Sequence, residues 1–173
     1  MKKIVVLLLL VSLSFVSYAK KSTATMERAY FAGGCFWGVE YFMQQCKGVI
    51  NTTSGLMGET DDIEDAEVVE VVFNPTIVTY KDLAKIFFEI HDPTQLNRQG
   101  EDEGVEYRSE IFYCNPQQKK IAGKLIKTLR KKDYDVVTRL TPASEFIAEL
   151  DEHQDYYRRQ GTLPACHLRV KRF

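Results

Sequence analysis

Cys35 stands where a thiol could do chemistry. Arg28 to Ala32 reads as a strand running into Gly33-Gly34, and Phe36 to Gln45 reads as a helix, with Phe36, Val39, Phe42 and Met43 on one face. Cys35 would then sit at the helix start, where unpaired backbone N–H groups and the helix dipole favour negative charge. Both effects lower a thiol's pKa, and the thiolate is the reactive form. Strand, Gly-Gly and helix start also make a geometry that presents an anion site. By position alone, a small buried cysteine filling a turn serves equally well. Phe36 and Trp37, the only tryptophan, follow directly. Helix neighbours diverge by about a quarter turn or more. Both rings therefore cannot face the core, and one can wall a pocket beside Cys35.

The other candidates are ambiguous when read singly. Cys46, Cys114 and Cys166 form no Cys-x-x-Cys pair, and the spacings of 11, 68 and 52 residues make no metal knuckle. His91, His153 and His167 also lack tight ligand spacing, so no metal is expected. Along a continuous helix Cys46 would lie roughly 16 Å from Cys35, beyond disulfide reach. Cys166 could pair structurally with Cys46 or Cys114. Glu67 belongs to an acidic run with Glu59, Asp61, Asp62, Glu64, Asp65 and Glu70, where a carboxylate is ordinarily a solvated surface charge. Tyr107 at a strand start would ordinarily be packing.

The elements that must position these residues follow from periodicity and turn residues. Val49 to Ser54 is a strand, Gly55 to Asp65 a loop, and Val68 to Phe73 a strand closed by Asn74-Pro75. Thr79 caps a helix with Asp82 at its third position, and His91-Asp92-Pro93 ends it. Thr94 to Glu106 is a long polar loop of the kind that is usually functional or disordered. Tyr107 to Tyr113 is a strand, Asn115-Pro116 starts a helix, and Asp135 to Leu140 is a further strand. Glu149 to Arg159 is a last helix ended by Gly161, and an irregular tail follows. The order predicts an α+β fold with helices on one face of a mostly antiparallel sheet: a ferredoxin-like plait with additional strands and helices and a long irregular C-terminal tail.

Composition bounds the rest. The chain has 173 residues, suited to one domain with a hydrophobic core, and a formal net charge of −1 that points to neither nucleic acid nor a polybasic membrane contact. Four cysteines are too sparse for a disulfide-built scaffold. Lys2 and Lys3, the apolar run Ile4 to Val16, and Ser17-Tyr18-Ala19 read as a secretory signal peptide over residues 1–19. The run is short for a membrane span. Export to the periplasm or beyond is therefore expected, with residues 20–173 as the working domain and no stable membrane span after cleavage.

The stretch Gly34-Cys35-Phe36-Trp37-Gly38-Val39-Glu40 closely resembles the signature of type A peptide methionine sulfoxide reductases. The resemblance continues through Asp65-Ala66-Glu67-Val68-Val69-Glu70-Val71, His91-Asp92-Pro93-Thr94, Arg98-Gln99-Gly100, Asp102-x-Gly104-x-x-Tyr107-Arg108-Ser109, His153-Gln154-x-Tyr156 and Cys166. It implies a protein-repair enzyme acting on methionine S-sulfoxide, free or in oxidised proteins. Phe36 and Trp37 would hold the substrate methyl group, and Cys35 would attack the sulfoxide sulfur. Glu67 would be the acid, Tyr107 would hydrogen-bond the oxygen, and Asp102 would orient the site. Cys166 would resolve the Cys35 sulfenic acid as a disulfide. A thioredoxin-like donor would reduce it, without a bound cofactor, and a monomer is expected. A thiol redox sensor or disulfide-linked binding protein on the same fold is the alternative; it would keep Cys35 and Cys166 but need neither Glu67 nor the apolar pocket.

The pattern also breaks. Gly55-Leu56-Met57-Gly58-Glu59 runs almost directly to Asp65-Ala66-Glu67, so the family's second oxygen-binding tyrosine has no counterpart. Asp65 stands where the family has His, Glu106 where it has Gln, and Glu149-Leu150 where it has Ala-Glu. A plainer site that leans on Tyr107 and Glu67 is expected.

Overall fold

The computed structural model describes residues 25–58 and 65–173. The expected signal peptide, residues 1–19, lies outside the described residues. The sheet begins with β1 (Glu27–Gly33), which leads into α1 (Phe36–Gln44). Then come β2 (Val49–Met57), β3 (Ala66–Phe73) and α2 (Tyr80–Ile90). A small hairpin of β4 (Arg98–Gln99) and β5 (Asp102–Glu103) precedes β6 (Ser109–Tyr113), α3 (Pro116–Arg130) and β7 (Arg139–Pro142). The last elements are β8 (Ile147–Ala148) and α4 (Tyr156–Gln160).

The main sheet has the order β7-β6-β1-β3-β2-β8. Within it, β6, β1, β3 and β2 pair antiparallel, while β7 lies parallel to β6. The four central strands with α1 and α2 between them are the ferredoxin-like plait, widened by a strand at each edge. Alternation along the strands sorts the side chains. Ala29, Phe31, Val69, Val71 and Phe73 join Val39, Met43, Leu83, Phe87 and Leu125 in the core beneath the helices. Ala32, Met57, Ala66, Val68 and Phe112 form a smaller core on the other face, against which Ala143 and Phe146 pack. Glu67 falls between Ala66 and Val68 in sequence, so the pleat turns it to the helix side, toward the start of α1.

Capping residues act as read. Thr79 and Asp82 form a reciprocal capping box on α2, and Asn115 caps α3 with Pro116 at its start. A cap of this kind contributes on the order of 1 kcal/mol.

Five segments depart from the sequence reading. The loop expected from Gly55 is still β2 as far as Met57, because Gly55 lets Ala148 and Ile147 pair alongside; a Cβ there would run into the Ile147 carbonyl. The polar segment 94–106 is ordered by its own hydrogen bonds rather than by an apolar stripe. Asp92 accepts from Thr94, Gln95 accepts from Gly100 N, and Arg98 pairs with Glu103 at 2.9 Å. Tyr107 lies in a 3-10 turn over Val105–Tyr107 rather than in β6, and β7 begins at Arg139 rather than Asp135. The expected last helix is broken at Asp155, whose φ of 54° is left-handed, into a 3-10 turn and the five residues of α4.

Candidate active site

Cys35 caps α1 from outside it, with φ −48° and ψ 119°, and its carbonyl accepts from Gly38 N at 3.1 Å. Two glycines make this position possible. Gly34 has φ +87°, and a Cβ there would run into Gln99. A Cβ on Gly38 would run into the imidazole of His167. The aromatic pair divides as helix geometry requires. Phe36 is 5% exposed and belongs to the core. Trp37 is half-buried and stacks on Tyr156, with ring centroids 3.9 Å apart and planes 9° apart. His153 lies 5.8 Å from the Trp37 ring and 6.1 Å from the Phe36 ring, so it lines the same apolar corner.

Glu67 reaches the helix start directly. Phe36 N donates to its Oε2 at 2.8 Å. Burial pushes this carboxyl up to about 7 despite that bond, and the charges of Asp102, Glu106 and Glu149 push it the same way. A carboxyl so placed is substantially protonated at neutral pH and can donate a proton. Glu106 and Glu149, two of the positions that break the family pattern, are thus among the groups that keep Glu67 protonated. Tyr107 faces the same spot; burial, Glu67, Asp102 and Cys35 raise its phenol. Asp102 is also raised, by burial and by Cys166.

Cys166 comes back to this point from the tail. Its side chain shares a hydrogen bond with Cys35, and both are free thiols. This contact reverses the expectation for Cys35. The Trp37 N–H does stabilise its thiolate, as the helix start should. The shared hydrogen bond with Cys166, burial and the Glu67 charge outweigh it, and the Cys35 thiol is raised. Cys166 takes the opposite share and is pulled down, first by the bond with Cys35 and then by His167 and Tyr157.

The structure therefore brings together Cys35, Phe36, Trp37, Glu67, Asp102, Tyr107 and Cys166. Cys46 and Cys114 lie elsewhere: Cys46 donates to Phe42 O at 3.4 Å, and Cys114 donates to Arg28 O at 3.4 Å. His91 is also structural. It is wholly buried between Phe87 O and Ser109 Oγ, each at 2.7 Å, and burial pushes it down to about 3.

The sequence reading assigns no role to several residues at the site. Tyr157 hydrogen-bonds Cys166 and feels the charge of Cys35, putting a phenol near both sulfurs where the family's second tyrosine is missing. Glu40 is 2% exposed, accepts from Thr52 Oγ1 at 3.0 Å, and accepts from Asp155 N at 2.9 Å. Gln154 bonds both the N–H and the carbonyl of Ser54, at 2.8 and 2.9 Å. Together they fasten the segment bearing His153, Tyr156 and Tyr157 to α1 and β2.

The family model for peptide methionine sulfoxide reductase matches residues 27–173. Peptide methionine sulfoxide reductase MsrA of Sulfolobus acidocaldarius is 43% identical over 164 residues, covering 86% of this chain and 93% of its own. The reduced form of Mxr1 from Saccharomyces cerevisiae superposes with a TM-score of 0.77 at 26% identity, over 88% of this chain and 95% of that one. Mxr1 in complex with Trx2 gives 0.60 at 25% identity, over 91% and 97%.

Proposed function

The chain belongs to the peptide methionine sulfoxide reductases of the A type, and from that premise we propose how its own residues carry the reaction. The enzyme reduces methionine (S)-S-oxide to methionine at the expense of thiols. Its electrons come from an external thioredoxin rather than a bound cofactor, a reading supported by the Mxr1 complex with Trx2.

Phe36 and Trp37, with His153 beside them, take the substrate methyl group. The Cys35 sulfur attacks the sulfoxide sulfur, and the oxygen gains negative charge. Glu67 lends that oxygen its proton, while Tyr107 hydrogen-bonds it and Asp102 orients the site. Methionine leaves and the oxygen stays on Cys35 as a sulfenic acid. The proton count closes, because Glu67 recovers from the Cys35 thiol the proton it lends. Cys166 then forms the disulfide with Cys35 and releases water, and the reductant opens that bond.

The observation that carries this reading is the half-buried Glu67 carboxyl, bonded at 2.8 Å to the N–H next to Cys35 and raised to about 7. The test is release of methionine from a methyl sulfoxide substrate by the mature protein with dithiothreitol. Release from the S epimer and not the R epimer is expected. A reactive Cys35 that releases no methionine would replace this reading with that of a redox sensor.

Export belongs to the same proposal. Lys2-Lys3, the apolar run Ile4 to Val16 and Ser17-Tyr18-Ala19 support cleavage after Ala19 and a periplasmic or secreted enzyme. N-terminal sequencing of the protein from the exported fraction should begin at Lys20, and retention of Met1 in the cytoplasm would contradict it.

A further inference from the structure

His167 is 1% exposed and sits in the slot left by the missing side chain of Gly38. Both ring nitrogens are engaged. Nε2 lies 2.8 Å from the carbonyl oxygen of Gly33, and Nδ1 lies 3.1 Å from Cys166 Sγ. A carbonyl oxygen only accepts, so Nε2 carries a proton and donates it. That fixes the ring: its remaining lone pair, on Nδ1, points at the Cys166 sulfur.

We propose that His167 holds the proton of Cys166 and so makes this thiol the nucleophile of the resolving step. The inference rests on the reading of Cys166 as the resolving thiol. His167 touches a reacting sulfur, so its role is catalytic in that step.

Once Cys35 is a sulfenic acid, the thiol bond that lowers Cys166 most is gone and Cys166 takes up a proton. That proton passes to Nδ1, and the Cys166 sulfur attacks the sulfur of the Cys35 sulfenic acid. The sulfur–sulfur bond forms as the sulfur–oxygen bond of Cys35 breaks. The oxygen departs as water, taking up the proton that Nδ1 had received, and the ring is neutral again. Cys35 falls from sulfenic acid to disulfide, Cys166 rises from thiol to disulfide, and no outside oxidant enters.

The surroundings suit that exchange. Tyr157 hydrogen-bonds the Cys166 sulfur as well, so a thiolate there has two donors besides Cys35. The other titratable groups facing the pair are Asp102, which interacts with both Cys166 and His167, and His91, which interacts with His167 and stays neutral. A motif glycine, Gly38, thus has a second use: it leaves room for the base.

The test separates the two chemical steps in one sample. His167→Gln keeps an amide able to hydrogen-bond Gly33 but holds no titratable proton. One turnover without reductant is quenched over time, and methionine release and Cys35–Cys166 disulfide are both counted. In the wild type the disulfide should follow methionine release closely at pH 6.5 to 9. In His167→Gln the ratio of disulfide formation to methionine release should fall at least tenfold at pH 7 and recover as pH rises. Equal ratios at every pH would overturn the role of His167 alone. A wild type that releases methionine but makes no such disulfide would remove Cys166 from its role and this inference with it.

If His167→Gln fails to fold, the Cys35→Ser protein answers the same question. Alkylation of Cys166 by iodoacetamide should have reached its plateau rate by about pH 7. A rate still climbing through about pH 8.5, as for an ordinary thiol, would overturn the proposal.

Discussion

The two sulfurs meet at one point but are held there by opposite means. Cys35 is fixed by regular structure: it lies two residues beyond the central strand β1 and caps α1, with Gly34 before it and Gly38 N donating to its carbonyl. Cys166 belongs to a segment without helix or strand. Its position depends on separate pins onto α2. Val170 N donates to Glu89 O at 2.7 Å, Arg169 pairs with the Glu89 carboxylate at 2.9 Å, and Arg172 donates to Phe88 O at 2.8 Å. Phe173 adds an edge contact with Phe88. The proposed nucleophile is thus built into the core, while its proposed resolving partner is tied on. Damage to the first region should stop chemistry; damage to the second should leave the first turnover standing and harm recycling.

The strongest break in that comparison is Cys35→Ser. Methionine release should fall below detection, a loss of at least about 1,000-fold, because the sulfur placed to attack the sulfoxide is gone. Cys166→Ser should instead release about one methionine per enzyme and then stall with thioredoxin as reductant. A first turnover lost along with the later ones would show that the tail is part of the primary site.

Glu67→Gln comes next, with methionine release slowed by roughly 100-fold, in line with loss of a positioned acid. The sign of the pH dependence follows from its raised carboxyl. The protonated form donates, so the wild-type first step should be fastest below about pH 7 and should slow as pH rises through that value. Glu67→Gln should lose this slope. A wild-type step that accelerates steadily above pH 7 would rule out Glu67 as the donor.

Tyr107→Phe should slow the first step by about 100-fold, the low end of the cost of one donor to a developing oxyanion. Tyr157 touches the other sulfur, so its loss should act on disulfide formation more than on methionine release. Equal effects of the two on both steps would erase the distinction between regions.

The smallest effect tests the pins themselves. Glu89→Gln removes the charge opposite Arg169, which is half-exposed, so about 1 kcal/mol or less is at stake. Disulfide formation should slow by about two- to fivefold, with methionine release unchanged.

The same contrast explains what could be read from the residues. The plait was legible because its strands alternate and its helices carry apolar stripes and caps, as in Val68 to Phe73 and Thr79 to Ile90. Cys35 was legible for the same reason, since strand, two glycines and helix place it without any tertiary contact. Its proton was not, because Cys166 returns from 131 positions away and takes the negative charge. The hairpin at 98–103 and the placement of the tail depend on polar bonds with no period. His167 was visible only as a histidine beside a cysteine, and the ring's two partners exist only in the fold. The break at Asp155 was hidden likewise, because the bond from its N–H to Glu40 joins residues 115 positions apart.

The most direct measurement is mass spectrometry of the full-length enzyme after one turnover with methionine (S)-S-oxide and no reductant. One methionine released per enzyme and a single Cys35–Cys166 disulfide are expected, with Cys46 and Cys114 still free thiols. A persistent sulfenic acid on Cys35, or a bridge from Cys35 to Cys46 or Cys114, would contradict it.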